Sequence, residues 1–567
     1  MIRGWTVVGL VGLMACADPE AGISPQSQNR CVDKVEHTVS GASTSPARDD
    51  RQAVLVRYRP GSRQSASVTR QLGVSVTAHY QLTPAVAARL TPQEIARLAA
   101  DPSVERIEPD LELRALGQPL STGSVGEYTE SLRLVQGPRV WDVNEDGVLD
   151  PGAPTGSGIR VCVIDSGIDR RHPELRLPYV DGHDFVDNDD DPSDESNGVR
   201  GLGHGTHVAG IIAAQLASGG TTWPGMSRDG MVGVAPGVEL LIARVLNVHE
   251  RASISNVLSA LEWCQRKKAH VATLSLGAPM DMGVTARDAF QAARDAGMLI
   301  IAASGNDGTA HLEAPLNYPS AYPSVLAVGA VDSRAQVATF SNGGEGLSLV
   351  APGVDVLSAI SLRGNTISEL DAGAQRYASR SLFFAPAGEF TGELVDCGNG
   401  EAQGCQGGTC DGFVAYVRLE PGATVSRVAR NVMEQGARAI VFGMSESETQ
   451  SWQMSLEGPG QTWVPSLSVG RESRAAVLKS LGRQVHVNLT GVDYARFMGT
   501  SMAAPHVAGV AALVWSARPT MTASEVRDLL ERSALDLGAP GHDPRYGHGL
   551  VRARAALDAL GGLQSLP

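Results

Sequence analysis

Five apolar runs constrain this chain more than anything else in it: Ile159–Ile164, Leu240–Val245, Val271–Leu276, Leu299–Ala303 and Val325–Val331. Each has the length of a β-strand and is apolar on nearly every residue rather than on alternate ones. A strand of that kind is buried on both faces. The longer segments between the runs, such as Ser253–Lys267 and Ala286–Ala296, carry helical periodicity and supply the cover. Strands alternating with helices predict an α/β fold, a parallel sheet between layers of helices. The pattern spans about 126–365, stops, and resumes at Tyr494 until about 560. From 366 to 492 the chain is richer in Glu, Gln and Ser and holds Cys397, Cys405 and Cys410, which predicts a domain inserted into a loop of the α/β core.

A chain of 567 residues is too long for one core, and roughly three domains are expected. Its 47 basic and 61 acidic side chains give a net charge of −14, which argues against neutralising phosphates and hence against a nucleic-acid partner. Seven cysteines are too few for a disulfide scaffold, and no Cys-x-x-Cys pair offers a structural zinc site. At the N-terminus, Arg3 precedes an apolar run from Trp5 to Leu13, too short to span a bilayer and suited to an export signal. Residues 17–50 are polar and aperiodic and read as a disordered tether. A small α+β unit follows over 51–115. It has a strand at Ala53–Tyr58, a helix over Thr91–Ala99 and a strand at Val104–Glu108. Thr91, Pro92 and Glu94 form an N-cap, a first-turn proline and a capping-box acid.

Three glycine-flanked motifs carry the chemistry. Val163-Ile164-Asp165-Ser166-Gly167 delivers a carboxylate at the end of an apolar strand. Gly203-His204-Gly205-Thr206-His207 leads a histidine into a helix of small residues, and Gly499-Thr500-Ser501-Met502-Ala503 does the same for a serine. Taken singly, these are a turn aspartate, a structural histidine and a helix N-cap. Together they supply what a serine hydroxyl needs to become a nucleophile: a histidine base, and a carboxylate that fixes its tautomer and holds its developing charge.

In the order Asp, His, Ser, these motifs resemble those of the subtilisin-like (S8) serine proteases over roughly 126–365 and 493–560. The resemblance implies a secreted endopeptidase that hydrolyses peptide bonds of proteins, with Asp165, His204 and Ser501 as its catalytic residues. It makes His207 structural and Asp169 a neighbour. In Ala303-Ser304-Gly305-Asn306, it makes Asn306 the side-chain donor to an oxyanion, partnered by the backbone N–H of Ser501. Ser275, Leu276, Gly277, Ala303, Ser304 and Gly305 would contact an extended substrate, with Asp307 and Asn317 near the pocket rim and base. Thr273 departs from the asparagine common in the family.

Three further resemblances bear on maturation. The 51–115 unit, with its Val104-Glu105-Arg106-Ile107-Glu108-Pro109-Asp110 ending, is similar to the family's propeptide, which would act as an intramolecular inhibitor of a zymogen. Leu13-Met14-Ala15-Cys16 resembles a lipoprotein signal over 1–16, implying acylation of Cys16 and membrane contact only through that lipid. The 366–492 insert resembles a protease-associated (PA) domain. The competing expectation is a catalytically dead peptide-binding protein on the same scaffold, which would have no reason to keep Asp165, His204, Asn306 and Ser501 together.

No cofactor is expected for the chemistry. Asp142, Asn144, Asp146 and Asp150 have the start of a calcium loop, although Ala153 stands where a bidentate acid belongs, so a structural calcium ion is an expectation. Glu174 matches a calcium-ligand position of some family members. Cys162 and Cys264 are expected to be free and packed. Export favours one oxidised pair in the insert, with Cys397–Cys410 the expected one.

Overall fold

The computed structural model describes residues 50–59, 76–115, 118–120, 126–196, 199–200, 203–309, 314–362, 364–401, 404–405, 412–420, 423–444, 454–456 and 462–561. The export segment, Cys16 and most of the tether lie outside them. Seven parallel strands form the central sheet, in the order Leu347–Pro352, Leu326–Val331, Leu299–Ala303, Val271–Leu274, Arg160–Asp165, Glu239–Arg244, Tyr179–Asp184. Residues along a strand feed opposite cores. Val161 and Val163 join one hydrophobic cluster, and Cys162 and Ile164 join the other. The helices His204–Ala213 and Thr500–Ala517 belong to the first cluster. Ile254–Arg266 and Val284–Asp295 belong to the second. The expected helix–sheet–helix layering is therefore present. From Thr500 to Trp515 every residue is buried, which explains a helix apolar on all sides.

The strand Arg160–Asp165 is the first of this sheet along the chain, yet it lies between Glu239–Arg244 and Val271–Leu274. From it the chain runs out to the edge strand Tyr179–Asp184, turns back to Glu239–Arg244 and crosses to Val271–Leu274. The connections leaving Arg160–Asp165 and Val271–Leu274 therefore run in opposite directions across the sheet. In open α/β sheets such a reversal leaves a crevice at the carboxyl ends of the strands, where ligands bind. Asp165 ends the strand at that crevice.

The N-terminal unit is a four-stranded antiparallel sheet, ordered Val76–His79, Ala85–Leu90, Gln52–Tyr58, Val104–Pro109, with the helix Pro92–Ala99. The helix has the expected capping box between Thr91 and Glu94. The unit docks through carboxylates placed at helix N-termini. Glu108 accepts from the amides of Val284 (2.9 Å) and Thr285 (3.1 Å) at the start of Val284–Asp295. Asp110 accepts from the amide (3.0 Å) and hydroxyl (2.6 Å) of Ser255 at the start of Ile254–Arg266. Each pairing satisfies an amide that its helix cannot and places negative charge on the positive end of the dipole.

Residues 365–492 build a second sheet of eight strands with a hydrophobic core of its own. Its first and last long strands, Asn365–Ala372 and Gln484–Val492, pair antiparallel, so the chain leaves and returns at one place. The strands flanking that place, Val356–Ala359 and Tyr494–Met498, also pair antiparallel. An insertion with its ends side by side leaves the core sheet undisturbed.

Two cysteine expectations are corrected. Cys162 and Cys264 are not free but bonded to each other, with Cα atoms 5.9 Å apart. Cys162 sits on the sheet face covered by Ile254–Arg266, and Cys264 lies on that helix facing it. In the insert, Cys397 pairs with Cys405 rather than with Cys410, which lies outside the described residues. The chain turns back directly after Cys397, whose carbonyl accepts from Gly400 at 2.9 Å, and Gln435 holds the Cys405 amide at 3.0 Å. Among the described residues no helix is long and apolar enough to cross a membrane.

Candidate active site

Asp165 and His204 come together because two backbones approach closely. The His204 helix begins against the turn after Asp165, and the Gly205 amide donates to the Ser166 hydroxyl at 2.9 Å. A Cβ on Gly205 would collide with the Gly167 carbonyl, so only glycine permits this contact. His204 Nδ1 then donates to Asp165 Oδ1 at 2.7 Å, both side chains being fully buried. His204 Nε2 is buried and has no hydrogen-bond partner. Burial alone would lower the histidine pKa, but the Asp165 charge and hydrogen bond outweigh it and push His204 up to about 9. Two acids that sequence reasoning missed, Glu250 and Asp194, act in the same direction. Neither stands in a motif; only the folded chain brings them to His204.

Ser501 lies in the first turn of the helix Thr500–Ala517. Its hydroxyl donates to the Ser275 carbonyl at 2.9 Å, and the Ser275 hydroxyl donates to the Ser501 carbonyl at 2.8 Å. In this conformation Ser501 is thus tied to the expected substrate-contact segment rather than to His204. Asn306 follows the strand Leu299–Ala303, with Ser304 and Gly305 between. Its Oδ1 accepts from the amide and the hydroxyl of Thr500, each at 2.9 Å. The Thr500 hydroxyl also accepts from the Gly305 amide at 3.2 Å. Thr500 was a further omission; its signal was a hydroxyl directly before Ser501 in the same motif. His207 and a histidine further along the Ser501 helix, His506, are structural. His207 Nε2 donates to the carbonyls of Val356 and Ala495, and burial lowers its pKa to about 3. His506 Nδ1 donates to Met502, and burial lowers it to about 4.

A segment of the chain itself occupies the crevice. Glu112–Ala115 pairs antiparallel with Arg251–Ser253 on one side and with Leu276–Gly277 on the other. Arg114 reaches Asp307 at 2.8 Å, and Asn317 donates to the other oxygen of Asp307 at 2.9 Å. Further along, Gln118–Leu120 pairs with Tyr494–Met498, the strand leading to Ser501. The segment is therefore held beside Ser275 by one pairing and beside the strand that leads to Ser501 by the other. Ala303 and Ser304 are buried in the wall; the Ser304 hydroxyl donates to Asn342, and its carbonyl accepts from Asn317.

The carboxylates of the acidic loop at Asp142–Asp150 are engaged within the loop. Asp142 is buried and accepts from the amides of Asp146 and Gly147 and from Tyr128, while Asp146 accepts from Val148 and Asn144, and Asp150 from Val143. These carboxylates cap their own turn. Glu174 is fully buried, accepts from Met231 and Tyr494, and burial raises its pKa well above the ordinary value. No group of three or more His, Cys, Asp or Glu side chains among the described residues is placed to hold a metal.

Known proteases are similar to this chain. The alkaline protease of Alkalihalobacillus alcalophilus is 34% identical over 305 residues, covering 54% of this chain and 69% of that protein. Subtilisin Savinase of Lederbergia lenta is 40% identical over 217 residues, covering 38% of this chain and 71% of that one. Among solved structures, fervidolysin from Fervidobacterium pennivorans, a keratinolytic enzyme related to subtilisin, superposes with a TM-score of 0.55 at 20% identity. That match covers 90% of this chain and 61% of the other and speaks to the fold alone. The sequence model of the subtilase family matches residues 156–382 and 437–549. This chain belongs to the subtilase family of serine peptidases.

Proposed function

We propose that the chain is an exported serine endopeptidase made as a zymogen that cuts its own leader. The observation that carries this reading is the leader strand itself, paired in the crevice beside Ser275 and beside the strand that leads to Ser501. In the proposed reaction, Ser501 Oγ leaves the Ser275 carbonyl and attacks the carbonyl carbon of the scissile bond. Its proton passes to His204 Nε2, the buried nitrogen without a partner. Asp165 holds the imidazolium through Nδ1. The Asn306 amide, oriented by Thr500, and the Ser501 N–H bind the oxyanion. His204 returns the proton to the leaving amine, and water, activated by the same base, releases the acyl group.

The bonds between Ala115 and Gln118 are those bracketed by the two pairings, and one of them is the proposed cut. The leader, beginning at a lipid-bearing Cys16 once the export segment is removed, would then part from the peptidase. The insert at 366–492 is proposed as a PA domain governing access of protein substrates. The parallel strands Phe413–Arg418 and Ala437–Gly443 with the helix Val425–Glu434 between them support this.

The test is to express wild type and Ser501→Ala in a host lacking other proteases and sequence the N-termini. Wild type should begin between residues 116 and 118 and react with a serine-directed fluorophosphonate, and Ser501→Ala should remain full length and unlabelled. If Ser501→Ala is trimmed at the same bond, self-processing is wrong.

A further inference from the structure

The leader strand shows how a substrate residue would meet Glu250. Along Glu112–Ala115, Leu113 is buried and Arg114 is exposed toward Asp307, so Leu113 and Ala115 face the protein. The Ala115 amide donates to the Glu250 carbonyl at 3.2 Å. Glu250 closes a tight turn. Its amide donates to the Asn247 carbonyl at 2.8 Å, and the Asn247 side chain accepts from the amides of His249 and Arg251. Glu250 holds a φ of 57° there, a conformation unusual for a glutamate.

The carboxyl of Glu250 is near enough to His204 and Asp165 to feel both charges, and Oε1 is buried with no hydrogen-bond partner. Asp194 lies near it, buried, its carboxylate accepting from the Gly203 amide just before His204. Burial pushes both acids up to about 7, and each bears on the titration of His204. An unpartnered buried carboxylate oxygen costs stability unless a donor arrives. Alanine at position 115 brings none. A lysine or arginine at the same register would extend over this acidic floor and give Oε1 a charge-assisted bond.

We propose that Glu250 is a specificity residue that makes the peptidase prefer a basic side chain at the substrate position occupied by Ala115. This rests on the protease reading above, and the two can fail separately. Decapeptides copying residues 111–120, with Ala, Lys or Glu at position 115, serve as substrates for the processed enzyme, the cut bond being identified by mass. Wild type should cleave the Lys peptide with a kcat/KM at least about tenfold above the Ala peptide, and the Glu peptide least well. In Glu250→Gln the Lys-to-Ala ratio should fall below about threefold. A wild-type ratio near one, or a ratio that survives Glu250→Gln, overturns the proposal while leaving the protease reading intact. No cleavage of any peptide by a processed, fluorophosphonate-reactive enzyme overturns the proposal, and no fluorophosphonate reaction at all overturns both. Should Glu250→Gln fail to fold, precursors of otherwise wild-type sequence decide: Ala115→Lys should self-process about tenfold faster than Ala115→Glu, and equal rates overturn the proposal.

Discussion

Replacing Thr500 by valine tests how Asn306 is aimed. The Thr500 hydroxyl donates to Asn306 Oδ1 at 2.9 Å and accepts from the Gly305 amide at 3.2 Å, while the Thr500 amide holds the same Oδ1 at 2.9 Å. Valine keeps the shape and the amide bond and deletes the hydroxyl. Asn306 keeps one of these two anchors, so its donor loosens without being lost. A neutral hydrogen bond contributes about 0.5–1.5 kcal/mol net, which at about 1.4 kcal/mol per decade predicts a roughly two- to twelvefold fall in kcat. That is well short of the roughly 10²–10³ expected when the donor itself is removed in Asn306→Ala. The buried Gly305 N–H is left unsatisfied, so unfolding free energy should drop by about 1–3 kcal/mol. Thr500→Ser keeps the hydroxyl and should restore both quantities. Steady-state kinetics normalised to active sites by fluorophosphonate titration measure the first, and denaturant unfolding of the Ser501→Ala background measures the second. A Thr500→Val enzyme with full kcat, beside an Asn306→Ala enzyme down a hundredfold, would refute the orienting role; a loss under tenfold in Asn306→Ala would remove Asn306 from the oxyanion site.

Because the catalytic base must be neutral and Asp165 raises His204 to about 9, kcat/KM should climb with pH along a limb displaced alkaline of 6.5; a limb at or below 6.5 contradicts this coupling. The same sign makes the stability contributed by the pair complete below about 6.5 and lost as pH passes about 9. Asp165→Asn should fold and lose about 10⁴ in kcat, and a loss under tenfold would dismiss Asp165 from the machinery. Replacing Glu108 and Asp110 by alanine removes two helix caps of about 0.5–2 kcal/mol each, so the separated leader should inhibit the processed enzyme at least about fivefold more weakly; an unchanged inhibition constant refutes the docking role. The Cys162–Cys264 bond closes a loop of 102 residues, and removing both thiols should cost about 2–5 kcal/mol in denaturant unfolding, whereas an unaltered transition would contradict the pairing.

What could be read from the sequence was either periodic or local. The Arg160–Asp165 strand is apolar on both faces because two cores claim alternate residues, and that leaves a pattern in the chain. The Thr91–Glu94 box closes within one turn. What escaped depends on which distant surfaces meet. Cys162 and Cys264 are neighbours only because one helix crosses the sheet at one height, and nothing near either residue encodes that height. In the Asp142 loop the Asp-x-Asn-x-Asp-Gly spacing lets carboxylates wrap round the amides of their own turn, with Asp142 buried against Tyr128. Glu250 lies in a polar Asn-Val-His-Glu turn, unremarked until the fold brings it to His204. The three glycine-flanked motifs are long-range too, yet they stand out in the sequence, because a close approach of chain segments leaves a mark at each end. Gly205 cannot carry a side chain while it abuts Gly167, and Gly509 in the Ser501 helix cannot while it abuts Val234. The glycines and alanines round His204 and Ser501 are thus the local trace of a tertiary contact. A glutamate that meets its partner through the far end of a flexible side chain leaves none.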